Sequence, residues 1–218
     1  MESDRFFSEA DLEAIRATVR EAESRTSGEI VPYVVDYSDD YASAAWKGAA
    51  LGALLAPLVA LAIYRWTSIW GIPLAYWIAL PAPVGGAAAY LVSAFLPPIR
   101  RWLTGEHVLE ARVRRRAAAA FLDQEVFQTE NRTGILLFVS LFERRVVLLA
   151  DSGIHQKVEA GQWESITRRL ATEIRHGRPG PALVEAIREC GEVLARHHVE
   201  ILPGDRNELS DELRRERD

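Results

Sequence analysis

The sequence is poor in cysteine and in the motifs of the common catalytic sites. Cys190 is the only cysteine among the 218 residues, which excludes an internal disulfide and fits a reducing compartment. The chain has no phosphate-binding loop, no nucleophile-elbow serine motif, no HExxH zinc motif and no cysteine pairs for zinc. The sequence therefore predicts no established catalytic centre.

Other absences exclude further classes. The net charge of -5 gives no basic footprint, so we expect no nucleic-acid partner. The N-terminal segment is charged and amphipathic, without an apolar run or a small-residue cleavage site, so we expect that it does not act as a secretory signal.

Charge is nearly missing from the middle of the chain. Between Gly48 and Ile99 the only formal charge is Arg65, and the uncharged stretches on either side of it are long enough to cross a bilayer as helices. Tryptophans stand at the ends of these runs, as in the aromatic belts of membrane proteins; they are Trp46, Trp66, Trp70 and Trp102. We expect a transmembrane helical hairpin over residues 47–101. The alternative is a buried helical hairpin in a soluble core.

Positive charges indicate how such a hairpin is oriented. Lys47, Arg100 and Arg101 flank its outer ends, whereas Arg65 alone lies in the connecting loop. The positive-inside rule then places both polar segments in the cytoplasm. The spans carry no acidic residue, lysine or histidine that would mark an ion path, so we expect an anchor rather than a transporter.

The polar segments have the pattern of an α/β domain. Ser8 and Asp11 predict a helix start, and Glu29–Val35 reads as a strand. The segments Ile135–Leu141 and Arg145–Ala150 are apolar at consecutive positions, which is typical of strands covered by helices on both faces. We predict a small mixed β-sheet covered by helices, with residues 1–46 and 102–202 forming one domain interrupted by the hairpin. Residues 203–218 are charged and predicted to be disordered.

Acidic residues at strand ends are the candidate site. Asp151 follows the predicted strand Arg145–Ala150. Asp36, Asp39 and Asp40 follow the predicted strand Glu29–Val35. If Asp36 and Asp151 close over the same edge of the sheet, their oxygens would suit calcium or magnesium. The competing interpretation is that Asp151 is a turn residue, with Gly153 taking a positive φ, and that Asp39 belongs to a helix start.

Four sequence features together resemble a known family. They are Thr133–Ser140 (TGILLFVS), Glu143–Ile154 (ERRVVLLADSGI), the tryptophan-bearing helix Trp163–Ile174 and the helix Ala182–Leu194, with the pattern AL-x-x-AI-x-x-x-G-x-x-L. The chain resembles the TPM domain family, in its bacterial membrane-anchored branch, over nearly all its length except the apolar hairpin and the tail.

The resemblance implies an α/β sandwich, often membrane-tethered, that assembles, repairs or modulates membrane complexes. It also implies, from plant members, divalent-cation binding and an acid phosphatase activity. Many members carry Asp-x-Gly before the first strand of the β-hairpin, where this chain reads Arg132-Thr133-Gly134; the missing acid argues against that chemistry here. We therefore expect a non-catalytic binding or assembly module for another membrane protein, in the bacterial inner membrane, with a metal-dependent phosphatase as the alternative.

Overall fold

The computed structural model describes residues 6–67, 73–129, 131–197, 199 and 209–215. Within them the helices are α1 (Glu9–Glu23), α2 (Ala42–Thr67), α3 (Leu74–Ala79), α4 (Pro81–Phe95), α5 (Pro97–Thr104), α6 (Glu106–Asp123), α7 (Ser152–His155), α8 (Ala160–Arg175) and α9 (Pro179–Arg196). The strands are β1 (Glu29–Val35), β2 (Gly134–Ser140), β3 (Arg145–Ala150) and β4 (Arg214–Arg215). The α/β class is confirmed.

The strands form one mixed sheet in the order β3-β2-β1-β4. Strand β1 runs parallel to β2, with Glu29 opposite Gly134 and Val35 opposite Ser140. Strand β3 returns antiparallel to β2, with Ile135 opposite Ala150. The end of β3 therefore lies beside the beginning of β2, at the end of the sheet where β1 also begins.

Alternate residues of the sheet enter two apolar cores. On one face, β1 and β2 pack against α1, α8 and α9 through Ile30, Val34, Ile135, Leu137 and Val139. On the other face, Val31, Tyr33, Val35, Leu136 and Phe138 pack against Val113, Ala117 and Ala120 of α6. Every residue of β1 and β2 is buried, as the consecutive apolar positions of these strands predict.

The first helix begins where the sequence predicts. The amide of Asp11 donates to the Ser8 hydroxyl over 3.2 Å, and the amide of Ser8 donates to the Asp11 carboxylate over 2.9 Å. These two bonds form a capping box, which satisfies donors that the first turn of a helix leaves open.

The prediction of a disordered tail is wrong for the described part of it. Arg214 and Arg215 form β4, which pairs in parallel with Tyr33 and Val34. The side chain of Arg214 also donates to the backbone carbonyl and the side-chain oxygen of Gln124. Backbone pairing is indifferent to side-chain polarity, so a charged composition did not reveal this strand. Residues 203–208 and 216–218 of the predicted tail lie outside the described residues.

Contacts divide the chain into two units, Met1–Ser38 with Ala111–Asp218 and, separately, Asp39–Glu110. The first contains the sheet. The second contains the apolar hairpin, in which α2 lies against α4. Gly52 and Gly85 are needed there because a Cβ on either would collide with the facing helix. Gly48 likewise faces Ser93 with no room for a side chain. Close backbone approach through small residues is the packing that membrane helices favour.

The hairpin has the dimensions of two membrane spans. Residues Ala42–Trp66 and Leu74–Phe95 have mean hydropathies of 1.7 and 1.6, and only 11% and 6% of their apolar windows are buried. A core hairpin of a soluble protein would be mostly buried, so this exposure disfavours the soluble-core alternative. Large side chains such as Leu54, Leu58 and Leu91 face outward.

Candidate functional site

Asp151 is a buried helix-capping residue paired with an arginine. Its carboxylate Oδ1 accepts the backbone N–H of Ser152 over 2.6 Å at the start of α7. The Nε of Arg132 lies 2.9 Å from Oδ2, while the Asp151 side chain is only 6% exposed. The pair lacks hydrogen-bond geometry, so Oδ2 is held by charge attraction and has no hydrogen-bond donor among the described residues. Asp151 is one of the predicted metal ligands. Its Oδ1 caps α7, and its Oδ2 pairs with the guanidinium of Arg132.

The loop before β2 brings Arg132 into this position. Arg132 has a φ of +55°, a left-handed conformation that costs energy for a side chain with a Cβ. Its guanidinium lies over the ring of Phe127, 5.8 Å from the centroid. Its carbonyl accepts the N–H of Gly153 over 3.0 Å. Arg132, which stands where the pattern Asp-x-Gly would have its acid, is therefore held by the turn as the partner of Asp151.

Gly153 is required for a different reason from the one predicted. Its φ is not among the positive values, which among described glycines belong to Gly105 and Gly177. A Cβ at Gly153 would instead lie 2.5 Å from the carbonyl oxygen of Asn131 and 2.7 Å from that of Arg132. The turn interpretation of Asp151 is compatible with these contacts, but the glycine serves close backbone approach.

Asp36 does not share an edge of the sheet with Asp151. Asp36 follows the last residue of β1, whereas the amide of Asp151 donates to Gly134 at the first residue of β2. Because β1 and β2 are parallel and seven residues long, the two aspartates are separated by a strand length of about 20 Å. A joint calcium or magnesium site would require Asp36 and Asp151 to lie at the same edge of the sheet. This condition is not met, because β3 runs antiparallel to β2.

Asp39 and Asp40 lie just before α2 in the second unit. The Asp39 carboxylate accepts the N–H of Asp40 over 2.7 Å, and that of Asp40 accepts the N–H of Ala42 over 3.1 Å. These are the contacts of a helix start. Among the described residues no three histidine, cysteine or acidic side chains are grouped to hold a metal. Cation binding by any one of the four aspartates stays a prediction.

A buried carboxylate that the sequence did not point to lies at the other end of β2. Glu143, in the turn between β2 and β3, is 5% exposed. It accepts the N–H of Ser38 over 2.9 Å and a hydrogen bond from the hydroxyl of Ser140, which is itself 2.7 Å from the Ser38 hydroxyl. Ser140 is fully buried, so the group fastens the turn to the chain after β1 and is closed to substrates. The sequence does contain a signal for this group of side chains, namely a serine at the end of an apolar strand, three residues before a glutamate.

A second acid, the half-buried Glu23, joins α1 to the sheet and the C-terminal segment. Its carboxylate accepts the N–H of Ile30 over 2.9 Å. Burial, together with the nearby charges of Glu29 and Asp211, raises the pKa of Glu23 to about 8, although the hydrogen bond from Ile30 acts in the opposite direction. Asp211 in turn accepts from the Nε of Arg20 over 2.6 Å. A protonated Glu23 can donate to Asp211, so Glu23 and Arg20 hold the segment at Asp211 on α1.

Comparison with known proteins agrees with this architecture. Residues 106–193 match the family model of the TPM domain. The fold is similar to that of BA42 from the psychrophilic bacterium Bizionia argentinensis, whose structure was solved by NMR. The TM-score is 0.59 at 17% sequence identity, over 98% of this chain and 97% of BA42. At that identity the likeness shows the fold alone. No curated protein matches the chain significantly.

Proposed function

The chain carries a TPM domain at residues 106–193, and on that premise we propose that it is a membrane-anchored, non-catalytic module that binds or helps assemble another membrane protein. The apolar hairpin is the anchor, and the two polar segments lie in the cytoplasm. In a bacterium the membrane is the inner one.

The packing of the hairpin carries the anchoring part of this proposal. Helices α2 and α4 approach through glycine, while their leucines face outward. In water this would expose an apolar surface far larger than a monomer normally shows. In lipid the same surface is solvated, and small residues at the helix contact are favourable.

The contacts of the acidic residues support the non-catalytic part. A metal-dependent hydrolase needs carboxylate oxygens available to a cation. Here Asp151 is occupied by Arg132 and by the cap of α7, and Glu143 is occupied by the hydroxyl of Ser140 and the backbone N–H of Ser38. These side chains hold loops in place, which suits a rigid binding surface.

The partner test is crosslinking in native membranes followed by purification under denaturing conditions. We expect one integral membrane protein to be recovered with the full chain. The matched control carries Gly52→Leu, which disturbs the hairpin but leaves the sheet unchanged. Recovery of only abundant, unrelated membrane proteins would contradict the assembly proposal.

One observation favours the alternative function, a phosphatase that uses calcium or magnesium. The Oδ2 atom of Asp151 receives no hydrogen bond, so it would be open to a cation if the Arg132 side chain moved away. The test is hydrolysis of p-nitrophenyl phosphate with calcium, magnesium, manganese or chelator. Metal-dependent activity that is lost in Asp151→Asn would replace the non-catalytic proposal.

A further inference from the structure

The side chain of Asp151 lies in a turn that is rich in oxygen atoms. It is 6% exposed, and among the described residues its Oδ2 receives no hydrogen bond. Backbone carbonyls stand at the same turn, since a Cβ at Gly153 would lie 2.5 Å from the oxygen of Asn131 and 2.7 Å from that of Arg132. A buried carboxylate of this kind is costly unless a cation neutralises it.

The cation beside Asp151 is the guanidinium of Arg132. Its Nε lies 2.9 Å from Oδ2 without the direction of a hydrogen bond, and its carbon lies over the ring of Phe127. An arginine that recognises a carboxylate through its donors commonly forms two parallel hydrogen bonds. Arg132 acts on Oδ2 as a positive charge instead, which is the role that a metal ion would have there.

The backbone at position 132 does not favour an arginine. Its φ of +55° is left-handed, a conformation in which aspartate and asparagine are enriched because their short polar side chains bond locally. An arginine in this conformation costs energy without gaining such a bond. The charge that it places beside Asp151 offsets the cost, so the side chain rather than the backbone explains this residue.

Contacts that do not involve the Arg132 side chain hold the turn in place. The amide of Arg132 donates to the carbonyl of Thr129 over 3.1 Å. The amide of Thr133 donates to the Thr129 hydroxyl over 2.9 Å, and the Thr133 hydroxyl donates to the carbonyl of Ser27 over 2.7 Å. The side chain at 132 can therefore be exchanged while these bonds keep the backbone in place.

We propose that the guanidinium of Arg132 is a built-in cation, which takes the place at Asp151 that a calcium or magnesium ion would otherwise occupy. The divalent cation that the family resemblance implies does not fit beside it, because like charges repel at this distance. The wild-type chain then binds no divalent cation at Asp151. Arg132→Asp turns the same place into a divalent-cation site, with two carboxylates beside backbone carbonyls. The inference depends neither on the membrane anchor nor on the partner, because every residue it uses lies in the unit that contains the sheet.

The first test is calorimetric titration of the full-length chain in neutral detergent with calcium chloride and then magnesium chloride, after removal of metals by a chelator. We expect Arg132→Asp to bind a calcium ion with a Kd of about 1 mM or tighter, and wild type to bind at least about ten-fold more weakly, because it has one carboxylate fewer and a positive charge at the site. Arg132→Asp combined with Asp151→Asn should lose the binding.

Two further variants serve as controls. Arg132→Asn removes the guanidinium without adding an acid, so we expect it to bind calcium more weakly than Arg132→Asp and more tightly than wild type. Arg168→Asp places an acid beside Glu164 on α8, where the native ion pair spans 3.6 Å and both side chains are more than two-thirds exposed. This variant should show no saturable binding, since an exposed pair of acids lacks the buried turn.

The second test is the urea midpoint of the same variants with calcium and with chelator, followed by circular dichroism. We expect the wild-type midpoint to be the same in both, because its cation is covalently attached. Arg132→Asp should unfold at lower urea than wild type in chelator, since two acids then face each other, and calcium should restore its midpoint. Arg132→Lys keeps the charge and should remain independent of calcium, which an arginine acting only through its size would not predict.

Three results would overturn the proposal. The first is saturable calcium or magnesium binding by wild type that Asp151→Asn abolishes, because a metal would then bind beside Arg132. The second is a folded Arg132→Asp that binds calcium no better than Arg168→Asp, which would make Arg132 an ordinary ion-pair partner. If Arg132→Asp does not fold with or without calcium, the asparagine variant decides, and a calcium titration of Arg132→Asn identical to that of wild type is the third.

Discussion

Replacing Glu23 by glutamine should make the protein less sensitive to alkaline pH. Glutamine keeps both contacts of the protonated acid, since its carbonyl can accept the N–H of Ile30 and its amide can donate to Asp211. It removes the half-buried charge that the wild type acquires when Glu23 loses its proton.

The magnitude follows from the pKa. Burial raises the pKa of Glu23 from the ordinary 4.5 to about 8, so the folded state retains a proton that the unfolded chain releases. This contribution to stability is fully present below pH 4.5 and is lost as the pH rises to 8. At 1.36 kcal/mol per pH unit the loss is about 4–5 kcal/mol at most, and solvent near the partly exposed group reduces it to a few kcal/mol.

The assay is urea unfolding of the full chain in neutral detergent between pH 5 and 9, followed by circular dichroism. We expect similar free energies of unfolding at pH 5 and a clear advantage for Glu23→Gln at pH 8. The control is Glu21→Gln, an exposed position on the same helix. The reasoning is refuted if wild type and Glu23→Gln have parallel stability curves over this range.

Three further predictions concern the turn at Asp151 and the hairpin. Asp151→Asn keeps a capping oxygen and should cost less than 1 kcal/mol in urea unfolding, whereas Asp151→Ala loses the cap and should cost about 1–2 kcal/mol; equal costs would contradict the capping role. Gly153→Ala should lower the free energy of unfolding by about 1–3 kcal/mol, because the new Cβ would collide with backbone oxygens. The control is Gly161→Ala in α8, where the space around the glycine is open. This variant should be neutral or more stable by up to about 1 kcal/mol. Gly52→Leu should lower the thermal midpoint in detergent, at a cost of about 1–3 kcal/mol, and outward-facing Ala50→Leu should leave it unchanged; the reverse order would refute the packing of the hairpin.

Some elements of the fold could be predicted from the sequence because the interactions that form them are local. The capping box at Ser8 and Asp11 needs only residues three apart, and the consecutive apolar positions of β2 and β3 reflect burial on both faces. The apolar hairpin could be predicted equally well, because a long run without charge is stable either in a membrane or in a protein core. Strand β4 was missed because its two arginines pair through the backbone, which composition does not record.

The candidate site was harder to predict because it depends on topology. The sequence shows that Asp36 and Asp151 each follow a strand, but not that their strands run in opposite directions. The ion pair between Arg132 and Asp151 depends on the positive φ at Arg132 and on the close approach of Gly153, neither of which has a sequence periodicity. Glu143 and Glu23 appear as surface glutamates until the sheet brings Ser140 and Asp211 to them.

The most direct test of the central claim is the fraction of the full-length chain that stays with membranes after an alkaline carbonate wash. The account predicts that nearly all of it stays, because α2 and α4 present apolar side chains on their outer surface. It also predicts that replacing the outward-facing Leu54 and Leu58 by lysine releases the chain, since charges at the centre of a span are costly. Release of the wild-type chain in the carbonate wash would contradict the proposal of a membrane-anchored TPM domain.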